Sequence, residues 1–138
     1  MAFGLLALAL LAACDVAPTA TSDPPSTAQT RSAPVENDRA LRQRQADFLN
    51  RIRAADPQQR TIERALLNEQ NELGLILDRS VEMDKISDLM RTMLTEMARE
   101  FPGQDLTVLA YAPSAPPRKI GTARLNAATR DMTYTPEP

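Results

Sequence analysis

The sequence predicts an α+β fold in which a long helical hairpin, or a three-helix bundle, is followed by a small three-stranded antiparallel meander. Two observations carry this prediction. Between Pro57 and Phe101 the chain has no further proline and one glycine, and apolar residues recur there at helical spacing. Beyond Phe101, prolines and turn residues separate short runs rich in β-branched and apolar residues. We expect a helical region over residues 37–101 and a β-meander packed on the helices over residues 102–138.

The first helix is expected to begin near Asn37-Asp38, because either side chain can cap a helix. Steps of three and four residues place one stripe on a single helical face: Leu41, Gln45, Phe48, Leu49 and Ile52. The opposite side carries arginines: Arg39, Arg42, Arg44, Arg51 and Arg53. Asp56-Pro57-Gln58-Gln59 has the spacing of a capping box, and it predicts that this helix ends and another begins there.

Two interpretations compete for the second helical stretch. Apolar residues recur at intervals of seven, with an interruption at Glu69: Ile62, Ile76, Met83, Met90 and Met97. This repeat favours one long helix in a coiled-coil-like pairing with the first. Alternatively, the chain turns near Asp78-Arg79-Ser80 and begins a third helix.

Three strands are expected after the helices. Leu106–Ala112 is apolar on both faces, Lys119–Leu125 contains Gly121 as the mark of a bulge, and residues 131–135 alternate. The proline-rich segment 113–117 predicts a stiff loop, and residues 126–130 supply a turn. Because three short strands are marginal alone, the methionine-rich segment 83–97 is expected to cover them.

The first fourteen residues carry the most specific motif. Residues 3–11 are apolar apart from Gly4, and they end in Leu11-Ala12-Ala13-Cys14, which contains the chain's one cysteine. This segment resembles the signal region and lipobox of bacterial lipoproteins. The resemblance implies that residues 1–13 are a signal peptide cleaved after Ala13, and that Cys14 becomes the acylated N-terminus. Acyl chains on Cys14 would then bind the lipid bilayer.

The resemblance also implies a compartment and a spacer. The domain is expected to face the periplasm from a bacterial cell membrane; the choice between inner and outer membrane stays open, with Asp15 favouring the inner. Residues 15–36 are rich in proline, serine and threonine, with little to bury. We expect residues 14–36 to be an acylated, disordered tether.

Composition argues against catalysis. Histidine is absent and one cysteine occurs in 138 residues, which excludes imidazole-based triads, zinc ribbons and disulfide scaffolds. The carboxylate pairs Glu69/Glu72 and Asp84/Asp88 are expected on an exposed acidic helix face, without the apolar or charged pocket that acid–base catalysis needs, so we interpret them as solvated. A net charge of −2 and an aromatic content of 4% give no basis for nucleic-acid binding. We expect no enzyme activity, no cofactor and no small-molecule substrate.

Two sets of side chains are candidates for binding a partner. One is a methionine row, which is more typical of a helix core but also suits an adaptable groove, and whose thioethers could bind Cu(I): Met83, Met90, Met93 and Met97. The other is the arginine face of the first helix, which includes Arg42, Arg44 and Arg51 and could also meet an anionic surface.

These observations lead to three functional hypotheses. The first is a membrane-anchored, non-catalytic adaptor or accessory subunit of an envelope assembly, such as a secretion or conjugation apparatus. The second is a periplasmic inhibitor or immunity-type lipoprotein that blocks an enzyme with loop 113–117 or the acidic helix face. The third is Cu(I) handling through the methionine row.

Overall fold

Two helices and five strands make up the described part of the chain. A computed structural model describes residues 27–138. The helices are α1 (Thr27–Ala55) and α2 (Met83–Glu100). The strands are β1 (Ile62–Leu67), β2 (Glu72–Leu77), β3 (Leu106–Ala112), β4 (Arg118–Leu125) and β5 (Met132–Pro136).

The strands form one mixed sheet in chain order, β1-β2-β3-β4-β5. β1 and β2 are antiparallel, β2 and β3 are parallel, and β3, β4 and β5 are again antiparallel. Parallel neighbours require a crossover connection, and α2 provides it between β2 and β3. Both helices contribute to a single hydrophobic core with one face of the sheet.

The prediction of a long helical hairpin, or a three-helix bundle, with a separate three-stranded meander is therefore wrong. Residues 62–77 form the β1–β2 hairpin, and no coiled coil is present in residues 27–138. The seven-residue repeat misled because Ile62 and Ile76 lie on two different strands, and its interruption at Glu69 falls in the turn between them. The informative pattern was the alternation of Leu73, Leu75 and Leu77, whose side chains are 0%, 0% and 1% exposed on one face of β2.

An asparagine-bounded turn joins β1 to β2. The Asn71 N–H donates to the Asn68 carbonyl at 3.1 Å, while the Asn68 side-chain oxygen accepts the N–H groups of Gln70 and Glu72 at 3.0 and 2.8 Å. Asn71 has a φ of 57°, a conformation that asparagine tolerates better than most residues. These bonds satisfy the turn's backbone, and they reverse the chain where we expected a helix to continue.

Asp56 also closes a turn instead of opening a second helix. The Gln59 N–H donates to the Asp56 carbonyl at 3.0 Å, and Pro57 occupies the second turn position, for which its fixed φ is suited. The Asp56 carboxylate accepts three backbone N–H bonds at 3.0, 2.7 and 2.8 Å, from Arg60, Thr61 and Ile62. An aspartate followed by proline is suited both to the start of a helix and to a turn, so this motif alone could not show which of the two forms here.

The chain turns again at Asp78–Ser80, as the second interpretation proposed, but a strand precedes this turn instead of a helix. The Asp78 N–H donates to the Thr61 carbonyl at 3.0 Å, and the Val81 N–H donates to the Asp78 carbonyl at 3.2 Å. Two hydrogen bonds to the Asp78 carboxylate hold its pKa below the usual range, the stronger influence coming from the Ser80 hydroxyl and the next from the Ser80 N–H. α2 then begins at Met83.

α1 begins earlier than predicted and attaches through its C-terminal half. It starts at Thr27, so part of the predicted tether is helical and Asn37-Asp38 lies inside the helix. The predicted apolar stripe of this helix is confirmed for Gln45, Phe48 and Ile52, which are buried against the rest of the domain. Residues 35–40 are exposed.

α2 packs across the sheet by one apolar face. Phe101 is buried directly after the helix, and four side chains are buried within it: Ile86, Met90, Leu94 and Met97. The Phe101 ring meets the Phe48 ring of α1 edge-on, with centroids 5.9 Å apart. This aromatic contact joins α1 to the C-terminal end of α2 within the shared core.

The three strands expected at the C-terminus are present as β3, β4 and β5, within the larger sheet. The register between β3 and β4 shifts between Ala110 and Tyr111, so the irregularity lies beside Gly121, near the expected bulge. A Cβ atom at Gly121 would lie 2.8 Å from the Tyr134 hydroxyl oxygen and 2.9 Å from its Cε2. The ring of Tyr134 therefore occupies the space that a side chain at position 121 would need.

The predictions for the signal peptide, the cleavage site after Ala13, Cys14 and the tether up to residue 26 lie outside the described residues. Neither α1 nor α2 has the length and apolar character needed to cross a bilayer.

We expect Gly121→Ala to destabilise the fold by about 1–3 kcal/mol, because the new methyl group displaces the Tyr134 ring. Gly74→Ala is the matched control on β2, since a Cβ there meets Tyr111 Cε2 at 3.8 Å and the Leu66 carbonyl oxygen at 3.9 Å. Urea unfolding followed by circular dichroism measures both. In a Tyr134→Ala background the loss from Gly121→Ala should vanish, and equal losses at the two glycines would contradict this explanation.

We expect Asp56→Ala to lower the free energy of unfolding by about 1–2 kcal/mol at neutral pH, by analogy with the loss of a helix cap. The Ile62 N–H, together with those of Thr61 and Arg60, holds the pKa of Asp56 below its usual range. The stabilisation it confers is therefore present above the unfolded-state pKa of about 3.9 and is lost as pH falls through the lower folded-state pKa.

Urea titrations from neutral to acidic pH test this prediction. The wild-type chain should lose stability below about pH 4, and Asp56→Ala should lose less of it. Asp88→Ala, at an exposed position on α2, is the charge-matched control. An acid profile that is the same in Asp56→Ala and the wild type would refute the assignment.

Candidate partner-binding site

The strand register defines a second face of the sheet, opposite to the helices. Side chains alternate along a strand, so the buried residues point inward and the residues between them point outward. Leu66 pairs with Gly74, Gly74 with Leu109, and Leu109 with Thr122. These pairs place one outward row across four strands.

A second outward row lies beside the first. It runs from Arg64 through Ile76 and Tyr111 to Lys119. We call the outward side of the sheet the open face, and its centre combines both rows: Leu66, Gly74, Ile76, Leu109 and Tyr111.

The centre of the open face is apolar and partly accessible. Leu66 is 61% exposed, while Ile76, Leu109 and Tyr111 are half-buried. Within residues 27–138, neither helix packs against this side, because their core contacts lie on the other face. A contiguous apolar patch that spans neighbouring strands is typical of a surface that meets another molecule.

Gly74 creates a shallow depression in the middle of this patch. Its backbone does not need glycine: the glycine with positive φ among the described residues is Gly103, and a Cβ at position 74 would make ordinary contacts at 3.8 and 3.9 Å. Gly121 differs, because the Tyr134 ring fills the space that a side chain at position 121 would need. A strand glycine without a role in the fold often marks a place where another molecule approaches closely.

Basic side chains border the open face. By register, Arg64, Lys119 and Arg124 point outward, against one acidic residue, Glu72. The Lys119 ammonium pairs with Glu137 at 2.9 Å, and the Glu72 carboxylate accepts a hydrogen bond from the Asn68 amide at 2.7 Å. Arg64 and Arg124 take part in none of the ion pairs among residues 27–138. These two guanidinium groups can therefore meet a partner at the border.

A wide cleft of about 1080 Å³ continues from the open face at the end of the sheet where β2 and β3 finish. Arg64 and Ile76 belong to both surfaces, and the predicted stiff loop 113–117 forms one wall. Asp56 and Asp78 also line the cleft, but their carboxylates accept the turn hydrogen bonds described above. We interpret the cleft as an extension of the open face.

The methionine row does not form one site. Met90 and Met97 are fully buried among aliphatic side chains, Met93 is partly buried, and Met83 is 63% exposed at the start of α2. The structure thus divides the four candidates between core and surface. Among residues 27–138, no group of three or more histidine, cysteine, aspartate or glutamate side chains is placed to hold a metal ion.

The arginine candidates on α1 also differ from one another. Arg42 and Arg44 are exposed, with no ion pair among the described residues. Arg51 pairs with Glu100, beside it at the end of α2, and its guanidinium carbon lies 5.7 Å from the centre of the Phe48 ring. Arg51 therefore holds the two helices together, whereas Arg42 and Arg44 face solvent.

No protein-family model, curated protein or solved structure matches this chain. The candidate site consequently depends on the geometry alone. The sequence pattern did not reveal the open face, although it contained one signal. β3 is apolar on both faces, which predicts that something packs against each of them.

The different environments of two methionines give a direct test of the core assignment. Met90→Ala should cost about 2–5 kcal/mol because it leaves a cavity under the sheet. Met83→Ala should change the free energy of unfolding by no more than about 0.5 kcal/mol because its side chain is exposed. Urea unfolding of both variants measures the difference, and comparable losses would place Met83 in the packed core.

Proposed function

We propose that this protein is a membrane-anchored, non-catalytic adaptor or accessory subunit of an envelope protein assembly. The observation that carries the proposal is the open face, where apolar side chains of β1, β2 and β3 surround Gly74 and no element of residues 27–138 covers them. Such a surface suits a partner protein, because burying it would remove apolar area from water.

The N-terminal motif supports the membrane anchor. Leu11-Ala12-Ala13-Cys14 resembles a lipobox, and an acylated Cys14 would attach the chain to a bilayer. An anchor and a partner surface on one small domain are the parts that an adaptor needs. The anchor also raises the concentration of the domain near membrane-bound partners.

Two exposed apolar residues with almost equal accessibility give a matched test of the partner surface. Leu66 lies on the open face and is 61% exposed, while Met83 lies at the start of α2 and is 63% exposed. Crosslinking in cells of the source bacterium, followed by capture of the full chain, should recover an envelope protein with the wild type. Leu66→Ser should lower that yield about tenfold, equivalent to about 1.4 kcal/mol, and Met83→Ser should leave it unchanged.

Other outcomes of this experiment discriminate between the hypotheses. Recovery of the chain alone would refute the adaptor, and recovery of a soluble enzyme would favour the inhibitor. If Met83→Ser lowers the yield and Leu66→Ser does not, the partner surface lies on α2.

Cys14→Ser should move the chain from the membrane to the soluble fraction, and an unchanged distribution would refute the lipid anchor.

A further inference from the structure

The open face is long enough to hold a short helix. Its apolar centre follows the two parallel strands β2 and β3, from which Gly74, Ile76, Leu109 and Tyr111 point outward. Six strand residues span about 20 Å, which is the length of about 13 helical residues. On the opposite side of the sheet, α2 packs on β3 with Met90 and Leu94 buried, and the inward leucines of β2 are buried in the same core.

The chemistry of this surface is apolar in the middle and basic on both sides. Arg64 of β1 lies on one border and Arg124 of β4 on the other. The full chain has a net charge of −2, yet Arg64 and Arg124 of the open face take part in no ion pair among residues 27–138, since Lys119 pairs with Glu137. A partner with carboxylates on both borders of an apolar stripe would complement this distribution.

The depression at Gly74 adds a constraint on shape. A Cβ atom at this position would make ordinary contacts, at 3.8 Å with the Tyr111 ring and at 3.9 Å with the backbone carbonyl oxygen of Leu66, so the Tyr111 ring lies on one side of the space above the glycine. A protruding aliphatic side chain from a helix ridge would fit over the glycine, beside the Tyr111 ring. An extended peptide is a poorer fit, because main-chain pairing adds a strand to a sheet edge and not to its face.

We infer that the open face binds an amphipathic helix of a protein partner, with its apolar stripe along β2 and β3 and acidic residues directed at Arg64 and Arg124. This inference rests on the proposed adaptor function and names the chemistry of the partner segment. The helix places one apolar side chain over Gly74, and its length is about 13 residues.

Site-specific photocrosslinking of the full chain in cells of the source bacterium tests the inference. Benzoylphenylalanine replaces Leu66 on the open face or, as the control with matched exposure, Met83 on α2. Mass spectrometry then identifies the crosslinked peptide. We expect the Leu66 position to give about ten times the adduct of the Met83 position. The adduct should contain apolar residues at helical spacing with aspartate or glutamate on both sides.

Charge and shape variants test the two borders and the depression. Arg64→Glu and Arg124→Glu should each lower the adduct yield about tenfold, and Arg91→Glu, exposed on α2, should not. Gly74→Val should lower the yield to a similar extent while its urea midpoint equals or exceeds that of the wild type.

The outcomes separate this inference from the adaptor proposal. An adduct with a second copy of the chain, with residues 1–26, with lipid, or with a basic or non-helical segment overturns the amphipathic-helix partner. Unchanged yields in both arginine variants overturn the charge complementarity. In these cases the adaptor proposal stands if the Leu66→Ser capture result holds. The absence of any adduct, together with capture of the chain alone, overturns both.

Discussion

The parallel pairing of β2 with β3 is the constraint on which the rest of the structure depends. Parallel neighbours cannot be joined by a tight turn, so the chain between Leu77 and Leu106 has to cross the sheet. α2 makes that crossing and buries its apolar side against one face, and the Phe48–Phe101 contact joins α1 to the C-terminal end of α2. As a consequence of this connectivity, no helix of residues 27–138 covers the opposite face.

The three C-terminal strands show which parts of the fold local sequence determines. Proline and asparagine delimit β3, β4 and β5, so their positions were predictable from the residues around them. The β1–β2 hairpin was not predictable with the same rules, since Asp56-Pro57 is equally suited to a helix start and a turn. Whether residues 62–77 form a hairpin or a helix depends on the pairing of Leu73 and Leu75 with β3, which is distant in sequence, and no local pattern contains this tertiary contact.

The candidate site depends on register even more strongly. The stripe Gln45–Phe48–Ile52 could be assigned to the core from periodicity, because a helix fixes its own faces. Arg64, Gly74 and Arg124 lie on three different strands, and only the pairing brings them to one surface. Methionine spacing predicted a shared face correctly for Met90 and Met97, but it could not show that Met83 lies beyond the packed part of α2.

The exposed start of α1 has a mechanical consequence. Leu41 packs partly against the core, and Gln45 then donates to the Asn68 carbonyl at 2.8 Å and to the Asn71 side-chain oxygen at 2.9 Å. Residues 35–40, which precede these contacts, are exposed, so this part of the helix extends about 9 Å from the body as a stiff arm. In a chain anchored at Cys14, the arm would add its length to that of the tether, so that the open face could reach partners further from the bilayer.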